Sequence, residues 1–236
     1  MELKGRLQAI ADKVPACNIL ADIGTDHAYI PIFAIEKSIC KKAVATDVKP
    51  GPVRIAQRNI ERFGFEKHID TRLGDGLVPL MENEAEVIVI AGMGGILIQE
   101  ILEKSLKTAQ SAQILVLQPM NMVEVLRKWL NDNGFDIIDE NLVEETNKIY
   151  NILVVKWIGK TEPVDAFRLY IGQRLLGRND ALFKRYALRK LKLLNNRING
   201  LQNAVKQQAG VIQLLEIRDR LQEIINNIDR GGSHEC

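Results

Sequence analysis

The chain has 236 residues, of which 46% are hydrophobic and 26% are charged. This composition excludes a disordered or collagen-like chain, and the length suits one or two folded domains. The net charge of +2, taken as a whole, argues against a dedicated nucleic-acid binder. Its distribution is uneven, since residues 1–160 hold 19 basic and 22 acidic side chains and residues 161–236 hold 13 and 8. An acidic body followed by a basic C-terminal piece indicates a nucleic acid or another anionic partner.

The three cysteines lack the spacing of a disulfide framework or a zinc site. Charged residues interrupt the first twenty positions, so no apolar stretch of signal-peptide length is present there. The apolar, glycine-rich run at residues 87–98 is too short to span a bilayer. We expect a cytoplasmic, monomeric protein with no metal and no membrane partner.

The predicted elements begin with a helix, because Leu3, Leu7, Ile10 and Val14 share one helical stripe that Pro15 ends. Short apolar runs alternating with helical patterns then predict five strands, at residues 18–23, 42–47, 69–73, 86–91 and 113–118. Continuous hydrophobicity is typical of strands covered on both faces, so we predict a doubly wound α/β sheet of parallel βαβ units. Two further runs, 135–139 and 149–157, have no helix between them and predict an antiparallel edge pair.

After residue 160 the strand-like runs stop, which predicts domains at 1–160 and 161–236. Apolar residues then recur at steps of three and four, at Ala187, Leu191, Leu194, Ile198, Leu201 and Val205 and again at Leu214, Ile217, Leu221, Ile224 and Ile228. This spacing predicts two coiled-coil-like helices that close on each other as an antiparallel hairpin, joined near Ala209-Gly210.

The hairpin is basic, with ten Lys and Arg side chains between Arg168 and Lys206 against the single acid Asp180. A solvated helix face is the alternative, but that imbalance favours a field suited to phosphates. The residues predicted to contact RNA are Arg174, Arg178, Arg185, Arg189 and Lys192.

Small or acidic groups follow every predicted strand of the first domain, at the edge where open α/β sheets bind ligands. Gly24 follows the first strand and allows a tight turn. Asp47 ends the second strand, where an acidic residue binds ribose hydroxyls in nucleotide-binding sheets. Asp75-Gly76 and Gly92 follow the next two. Each of these has a structural alternative, as a turn residue or a strand-end cap.

The glycines that would cradle a pyrophosphate are missing, and Asp26 occupies one of their positions. An aspartate there repels phosphate, so a ligand with a cationic centre is favoured. S-adenosylmethionine fits, with a ribose for Asp47, an adenine amine for Asp75 and a cationic end for acidic surroundings. The predicted cofactor-binding residues are Asp22, Gly24, Thr25, His27, Asp47, Asp75, Gly76 and Gly92. His27 lacks a metal-spaced partner and is not predicted to bind a metal.

The segments ADIGTDHAYIP, TDVKPGPVRIAQRNI, RLGDGL, VIAGMGG and LQPMN together resemble the TrmK family of bacterial tRNA (adenine-N1)-methyltransferases. The resemblance covers roughly residues 1–230. It implies a class I methyltransferase domain with a coiled-coil-like appendage, which uses S-adenosylmethionine to methylate N1 of adenine 22 in the D arm of tRNA.

Adenine N1 is a neutral nucleophile, so this reaction depends on positioning more than on a strong base. Because methylation makes the ring cationic, we assign Asp26 to stabilise that charge and Tyr29 to stack on or hydrogen-bond the base. Gln118, Pro119 and Asn121 are assigned to the substrate, and the adenine is expected to leave its stack. An Asx turn or helix cap is the alternative for Asp26, and a core position for Tyr29.

Two other functions stay open on the sequence. One is a methyltransferase of the same class that acts on another RNA or a small molecule. The other is a non-catalytic RNA-binding or interaction protein on this fold, although such a module has no need of Asp26, Asp47 and Asp75 together.

Overall fold

The computed structural model describes residues 1–202 and 208–231. The chain divides into two compact units, Met1–Glu162 and Pro163–Cys236. The first unit contains one sheet and six helices, and the described part of the second contains helices only.

The strands of the first unit form a single seven-stranded sheet. Their bounds are β1 Cys17–Ile23, β2 Cys40–Asp47, β3 Ile69–Leu73, β4 Val87–Met93, β5 Ile114–Pro119, β6 Phe135–Glu145 and β7 Lys148–Trp157. The helices are α1 Gly5–Ala11, α2 Tyr29–Glu36, α3 Pro50–Phe63, α4 Gly95–Lys104, α5 Leu106–Ser111 and α6 Val123–Asp132.

The strand order is β3-β2-β1-β4-β5-β7-β6, with β1 to β5 parallel and β7 antiparallel to both of its neighbours. This confirms the predicted doubly wound sheet with its antiparallel pair. The first strand of that pair, β6, extends to Glu145, well beyond the predicted end at residue 139. A half-exposed edge strand alternates buried and exposed residues, so its second half lacks the continuous apolar run on which the prediction depended.

The core lies on both faces of the sheet, as expected for strands buried on both sides. In β4, Val87 and Val89 pack in one cluster while Ile88 and Ile90 pack in the other, and all four are at most 2% exposed. The alternation places one helical layer over each face.

A buried ion pair ties α6 to the antiparallel edge. Arg127 Nη2 donates to Glu140 Oε1 over 2.5 Å, and Asn151 Nδ2 donates to the same oxygen over 2.8 Å. The side chains of Arg127 and Glu140 are 2% and 1% exposed. Since α6 begins just after the β5 loop, this pair helps to fix where that loop lies.

The second unit consists of α7 Ala166–Ile171, a short 3₁₀ turn Gln173–Leu175, α8 Ala181–Gln202 and α9 Gln208–Gly231. Lys184, early in α8, pairs with Asp229 near the end of α9, so the two helices run antiparallel. Helix α9 begins at Gln208, so Ala209-Gly210 lies in its first turn, and the segment that joins the two helices lies outside the described residues. No described helix is long and apolar enough to cross a membrane.

The predicted seam is largely confirmed in α8. Ala187, Leu191, Leu194 and Ile198 are all buried and Leu201 is half-buried, while Val205 lies outside the described residues. In α9, Ile217 and Leu221 are buried, and Leu214, Ile224 and Ile228 are half-buried. The residue that the spacing missed is Ile225, 3% exposed. Successive steps of four place it on the buried side of a helix with 3.6 residues per turn.

Candidate active site

The candidate site lies where the strand order reverses. β1 pairs with β2 on one side and β4 on the other, so chain order runs away from β1 in both directions. Ligands of open α/β sheets bind in the crevice outside the carboxyl ends of the strands at such a switch point. Asp22, Gly24, Asp47 and Gly92 all lie at the ends of these three strands.

The loop after β1 is held against β2 by its backbone. The N–H groups of Gly24 and Thr25 both donate to the Thr46 carbonyl over 2.8 Å. Gly24 has a φ of +74°, and a Cβ there would lie 2.0 Å from the Met93 methyl carbon, so both conformation and space favour glycine. The Met93 contact could not be predicted from the sequence, because it depends on β4 lying next to β1.

Thr25 shapes this loop from inside. Its hydroxyl accepts a hydrogen bond from the Ala28 N–H over 3.0 Å and also hydrogen-bonds Asp22, and the residue is 3% exposed. Thr25 therefore holds the loop between β1 and α2.

Asp22 and Asp47 create an acidic floor at the ends of β1 and β2. Burial raises the pKa of Asp22 to about 6, the Thr25 hydroxyl opposes the shift, and the charge of Asp47 adds to it. Asp47 Oδ1 accepts from the Lys49 N–H over 2.7 Å, and Oδ2 has no partner among residues 1–202 and 208–231. Two carboxylates, one buried and one with an uncommitted oxygen, suit a ligand that brings a cationic group and hydroxyl donors. The site therefore fits S-adenosylmethionine.

Asp75 and Gly76 follow β3. The Gly74 N–H donates to the Asp47 carbonyl over 3.0 Å, which brings this turn beside the end of β2. Asp75 is exposed and its Oδ2 lies 2.6 Å from Lys104 Nζ. A Cβ on Gly76 would lie 2.9 Å from Ile101, so the glycine is required for packing on α4, whatever it does for a ligand.

Asp26 and Tyr29 are exposed at the start of α2. The Asp26 side chain is 70% exposed and its Oδ2 lies 3.2 Å from His27 Nε2. Helix α2 is capped at Ala28 without a side-chain bond, so Asp26 does not have the alternative capping role. Tyr29 is 37% exposed, outside the core, and stacks on His27 with ring centroids 5.0 Å apart.

Gln118 lies at the end of β5 with its amide fully engaged. Its Oε1 accepts from the Gly92 N–H over 3.1 Å and from Arg6 Nη1 over 2.5 Å. Its Nε2 donates to the Pro119 carbonyl over 2.9 Å, and both Gln118 and Pro119 are buried. Gln118 would contact a base only after giving up one of these bonds. Arg6 was not identified from the sequence, because α1 was recognised by its apolar stripe alone.

Asn121 contrasts with Gln118. It is exposed, and its side-chain amide has no hydrogen-bond partner in the described ranges. Its carbonyl accepts from the Gly95 N–H over 3.0 Å, while a Cβ on Gly95 would lie 2.5 Å from the Met122 carbonyl oxygen. This close approach of α4 holds the β5 loop and leaves the Asn121 amide open to a substrate.

In the second unit, Arg174, Arg185, Arg189 and Lys192 are exposed and Arg178 is half-buried. Arg178 pairs with Asp180 over 2.7 Å. The excess of positive charge is smaller than the count over residues 168–206 indicated. Asp165 and Asp229 lie outside that range in the sequence and pair with Arg168 and Lys184 in the structure.

Lys190, one of the ten basic residues counted in the sequence, is not on the surface. Lys206, another of the ten, lies outside the described residues. Lys190 is buried, with its Nζ 3.8 Å from the centroid of the Tyr170 ring. It therefore belongs to the packing of this unit, not to its charged surface.

Residues 1–202 and 208–231 contain no group of three or more His, Cys, Asp or Glu side chains that could hold a metal ion.

Comparison with known proteins extends these observations. A family model described as a methyltransferase domain matches residues 3–153. The chain is 32% identical over 235 residues to the tRNA (adenine(22)-N(1))-methyltransferase of Bacillus subtilis, covering 98% of this chain and 99% of that protein. It also matches the crystal structure of the B. subtilis M1A22 tRNA methyltransferase TrmK, with a TM-score of 0.82, 32% identity and coverage of 95% and 99%. M. capricolum TrmK in complex with S-adenosyl-homocysteine gives a TM-score of 0.77, 26% identity and coverage of 97% and 99%.

The sheet order, the acidic crevice and the matched domain define a class I methyltransferase. The identity over nearly the whole of both chains is more specific than that class. The chain belongs to the TrmK family, as the sequence motifs predicted.

Proposed function

We propose that this protein transfers the methyl group of S-adenosylmethionine to N1 of adenine 22 in tRNA. The observation that carries the proposal is the exposed Asp26 carboxylate, which does not cap α2 and lies two residues after Gly24 in the loop that follows β1. Membership of the TrmK family over the full length supports the choice of substrate.

The crevice residues would hold the cofactor, which supplies an electrophilic methyl group on a sulfonium. Asp47, through its uncommitted oxygen, binds the ribose hydroxyls, and Asp22 faces the cationic end. Asp75 meets the adenine amine of the cofactor. Gly24, Thr25, His27, Gly76 and Gly92 complete the predicted set.

Asp26 stabilises the product side of the reaction. As the N1–carbon bond forms, the sulfur–carbon bond breaks, and the positive charge passes from sulfur to the adenine ring. A carboxylate near the exocyclic amine stabilises that charge and accepts the amine proton when it leaves. N1 itself carries no proton in the neutral base, so no general base is needed for attack.

Tyr29 and Asn121 orient the adenine. The stacked rings of His27 and Tyr29 offer an aromatic surface, and the exposed Asn121 amide can hydrogen-bond the edge of the base. A base that is paired or packed must leave its stack to reach them. Pro119 and Gln118 are assigned to the same substrate side, with Gln118 limited by its internal hydrogen bonds.

The second unit contacts the tRNA backbone through Arg174, Arg178, Arg185, Arg189 and Lys192. Arginine and lysine contacts to phosphates are salt-sensitive and largely independent of sequence. They supply affinity, while the crevice of the first unit selects the base.

We place the protein in the cytoplasm, where tRNA is available, and propose that it acts as a monomer. We also propose that no metal takes part, because displacement at a sulfonium methyl by a neutral nitrogen requires no Lewis acid.

The test uses unmodified tRNA with adenine at position 22, and a matched tRNA with guanine there. Each is incubated with the protein and S-adenosylmethionine, and digested nucleosides are mapped by mass spectrometry. We expect one N1-methyladenosine, at position 22, in the first tRNA and none in the second. Methylation elsewhere would indicate a different RNA specificity, and no N1-methyladenosine at all would refute the proposal.

A further inference from the structure

A side-chain hydrogen-bond chain joins α1 to the ends of β4 and β5. Gln118 Oε1 accepts from two donors, the Gly92 N–H and Arg6 Nη1, and Gln118 Nε2 donates to the Pro119 carbonyl. The amide thus links the backbone of one strand end to that of its neighbour. It is 0% exposed, so water does not compete for these bonds.

Arg6 is itself held from a third direction. Its backbone N–H donates to Glu145 Oε1 over 3.2 Å and its Nε to Glu145 Oε2 over 3.4 Å, and its guanidinium carbon lies 5.5 Å from the centroid of the Tyr150 ring. The Arg6 side chain is only 21% exposed. A guanidinium fixed by a carboxylate and a ring has little freedom left, so it defines where Gln118 Oε1 lies.

We infer that Arg6 is a positioning residue for methyl transfer, acting through the Gln118 amide. The inference rests on the proposed function and adds a residue that makes no contact with the reacting atoms. Arg6 fixes the orientation of the Gln118 amide, and that amide fixes the Gly92 N–H and the Pro119 carbonyl at the edge where the methyl donor and the adenine meet.

The expected consequence is on the rate of transfer more than on binding. A displacement needs near-linear alignment of N1, the methyl carbon and the sulfur, and small errors in position reduce the rate steeply. With Arg6 removed, Gln118 loses the donor that restrains it from α1, so its bonds to Gly92 and Pro119 open more often. The β5 loop and the Gly92 N–H then sample more positions, while Asp22 and Asp47, which bind the cofactor from β1 and β2, are unchanged.

A different contact of the N-terminal segment, just after α1, provides the control. Lys13 Nζ lies 2.8 Å from Asp139 Oδ2, so it also ties the N-terminal segment to β6, without any bond to Gln118. If Arg6 served only to anchor α1, removing Lys13 and removing Arg6 would have similar effects.

The test compares Arg6→Met and Lys13→Met in the full chain. Amide exchange of Gly92, followed by NMR, reports the bond to Gln118 directly and needs no activity. We expect that exchange to quicken by about tenfold in Arg6→Met, with kcat reduced by about tenfold and KM for tRNA and for S-adenosylmethionine unchanged. Lys13→Met should match the parent in all of these, and Arg6→Lys should recover part of kcat.

A double variant tests the route. If Arg6 acts through Gln118, Arg6→Met with Gln118→Leu is no slower than Gln118→Leu alone, because the two residues work as one unit. Unchanged Gly92 exchange, unchanged kcat, an equal loss in Lys13→Met, or additive losses would each overturn the inference. A parent protein that makes no N1-methyladenosine refutes the proposed function instead, and Gly92 exchange still decides whether Arg6 fixes this amide.

Discussion

Asp22 and Asp47 end neighbouring parallel strands, and the charge of Asp47 contributes to raising the pKa of Asp22 to about 6. At neutral pH the Asp22 carboxyl is largely ionised, and because it is buried this charge is destabilised relative to water. A cationic ligand relieves that cost when it binds. The same arrangement that lowers the stability of the free protein therefore favours a sulfonium- and ammonium-bearing cofactor.

The first prediction is that Asp22→Asn stabilises the free protein at pH 8 and weakens cofactor binding. The ordinary pKa of 3.8 is raised to about 6 on folding. The carboxyl is therefore neutral in both states below pH 3.8, and its ionisation opposes folding increasingly as pH rises to 6. Above pH 6 the raised pKa lowers the free energy of unfolding by about 3 kcal/mol. Asparagine removes this loss and keeps an acceptor for the Thr25 hydroxyl.

Thermal unfolding of both forms from pH 3.5 to 8, and calorimetry with S-adenosylhomocysteine, check this prediction. The stabilisation of Asp22→Asn relative to the parent protein should disappear below about pH 4. A gain that is independent of pH, or an unchanged affinity for S-adenosylhomocysteine, contradicts it.

The second prediction concerns the charge of Asp26. Asp26→Asn should lower kcat by about a hundredfold, the lower end of the range for a charge-stabilising or proton-accepting group. Affinity for S-adenosylhomocysteine and the unfolding temperature should not change, because Asp26 neither caps α2 nor packs in the core. Single-turnover methylation of tRNA measures the effect, with the exposed Glu103→Gln as the matched loss of one charge. Full turnover by Asp26→Asn would remove the assigned role.

The third prediction tests the contact between α4 and the β5 loop. A Cβ on Gly95 would lie 2.5 Å from the Met122 carbonyl and 2.9 Å from that of Asn121, and neither backbone can move aside alone. Gly95→Ala should cost about 1–3 kcal/mol of unfolding free energy and reduce methylation. Gly51→Ala is the control, since nothing lies within 4 Å of its Cβ position in α3. That control should be neutral or slightly stabilising in chemical denaturation; equal behaviour of the two variants contradicts the packing argument.

The fourth prediction concerns the buried pair of Arg127 and Glu140. Arg127→Met removes the cation beside the buried Glu140 side chain, with Asn151 as its remaining donor, and should cost about 3–5 kcal/mol of unfolding free energy. Adding Glu140→Leu should recover most of that loss, because the uncompensated charge is then gone. Urea denaturation of the single and double variants gives both values. A double variant with a lower unfolding free energy than Arg127→Met contradicts this prediction. It would show that the ion pair stabilises the fold more than the apolar side chains that replace it.

The fifth prediction addresses the basic helix α8. Changing Arg185, Arg189 and Lys192 together to glutamate should weaken tRNA binding. It should also make the fall of log affinity with log salt shallower, by about two to three in slope. Affinity for S-adenosylhomocysteine should stay the same. Filter binding at several salt concentrations measures the slope, and Lys67→Glu, an exposed change in the first unit, is the control. An unchanged slope would mean that this face of α8 does not meet the phosphates.

Much of the sheet and many of the crevice residues could be predicted without coordinates. Continuous apolar runs occur only where both faces of a strand are covered, and parallel strands place their carboxyl ends together. Gly24, Asp47 and Asp75 could therefore be assigned to one edge. The extension of β6 to Glu145 was missed because an edge strand is half polar, and Ile225 because strict steps of three and four do not follow a straight helix.

The order of the elements, the family motifs and the acidic character of the crevice follow from local pattern and residue type, so they could be read from the chain alone. Which polar groups are already hydrogen-bonded depends on the folded arrangement. The side chains of Thr25 and Gln118 are buried and hydrogen-bonded to backbone groups of the protein, whereas Asp26, Tyr29 and Asn121 are exposed. Arg6 and Gln118 lie 112 residues apart in the chain and meet because α1 packs on β6 and β7, and β7 pairs with β5. Burial and hydrogen bonding of this kind depend on which distant strands become neighbours, and no local pattern contains that information.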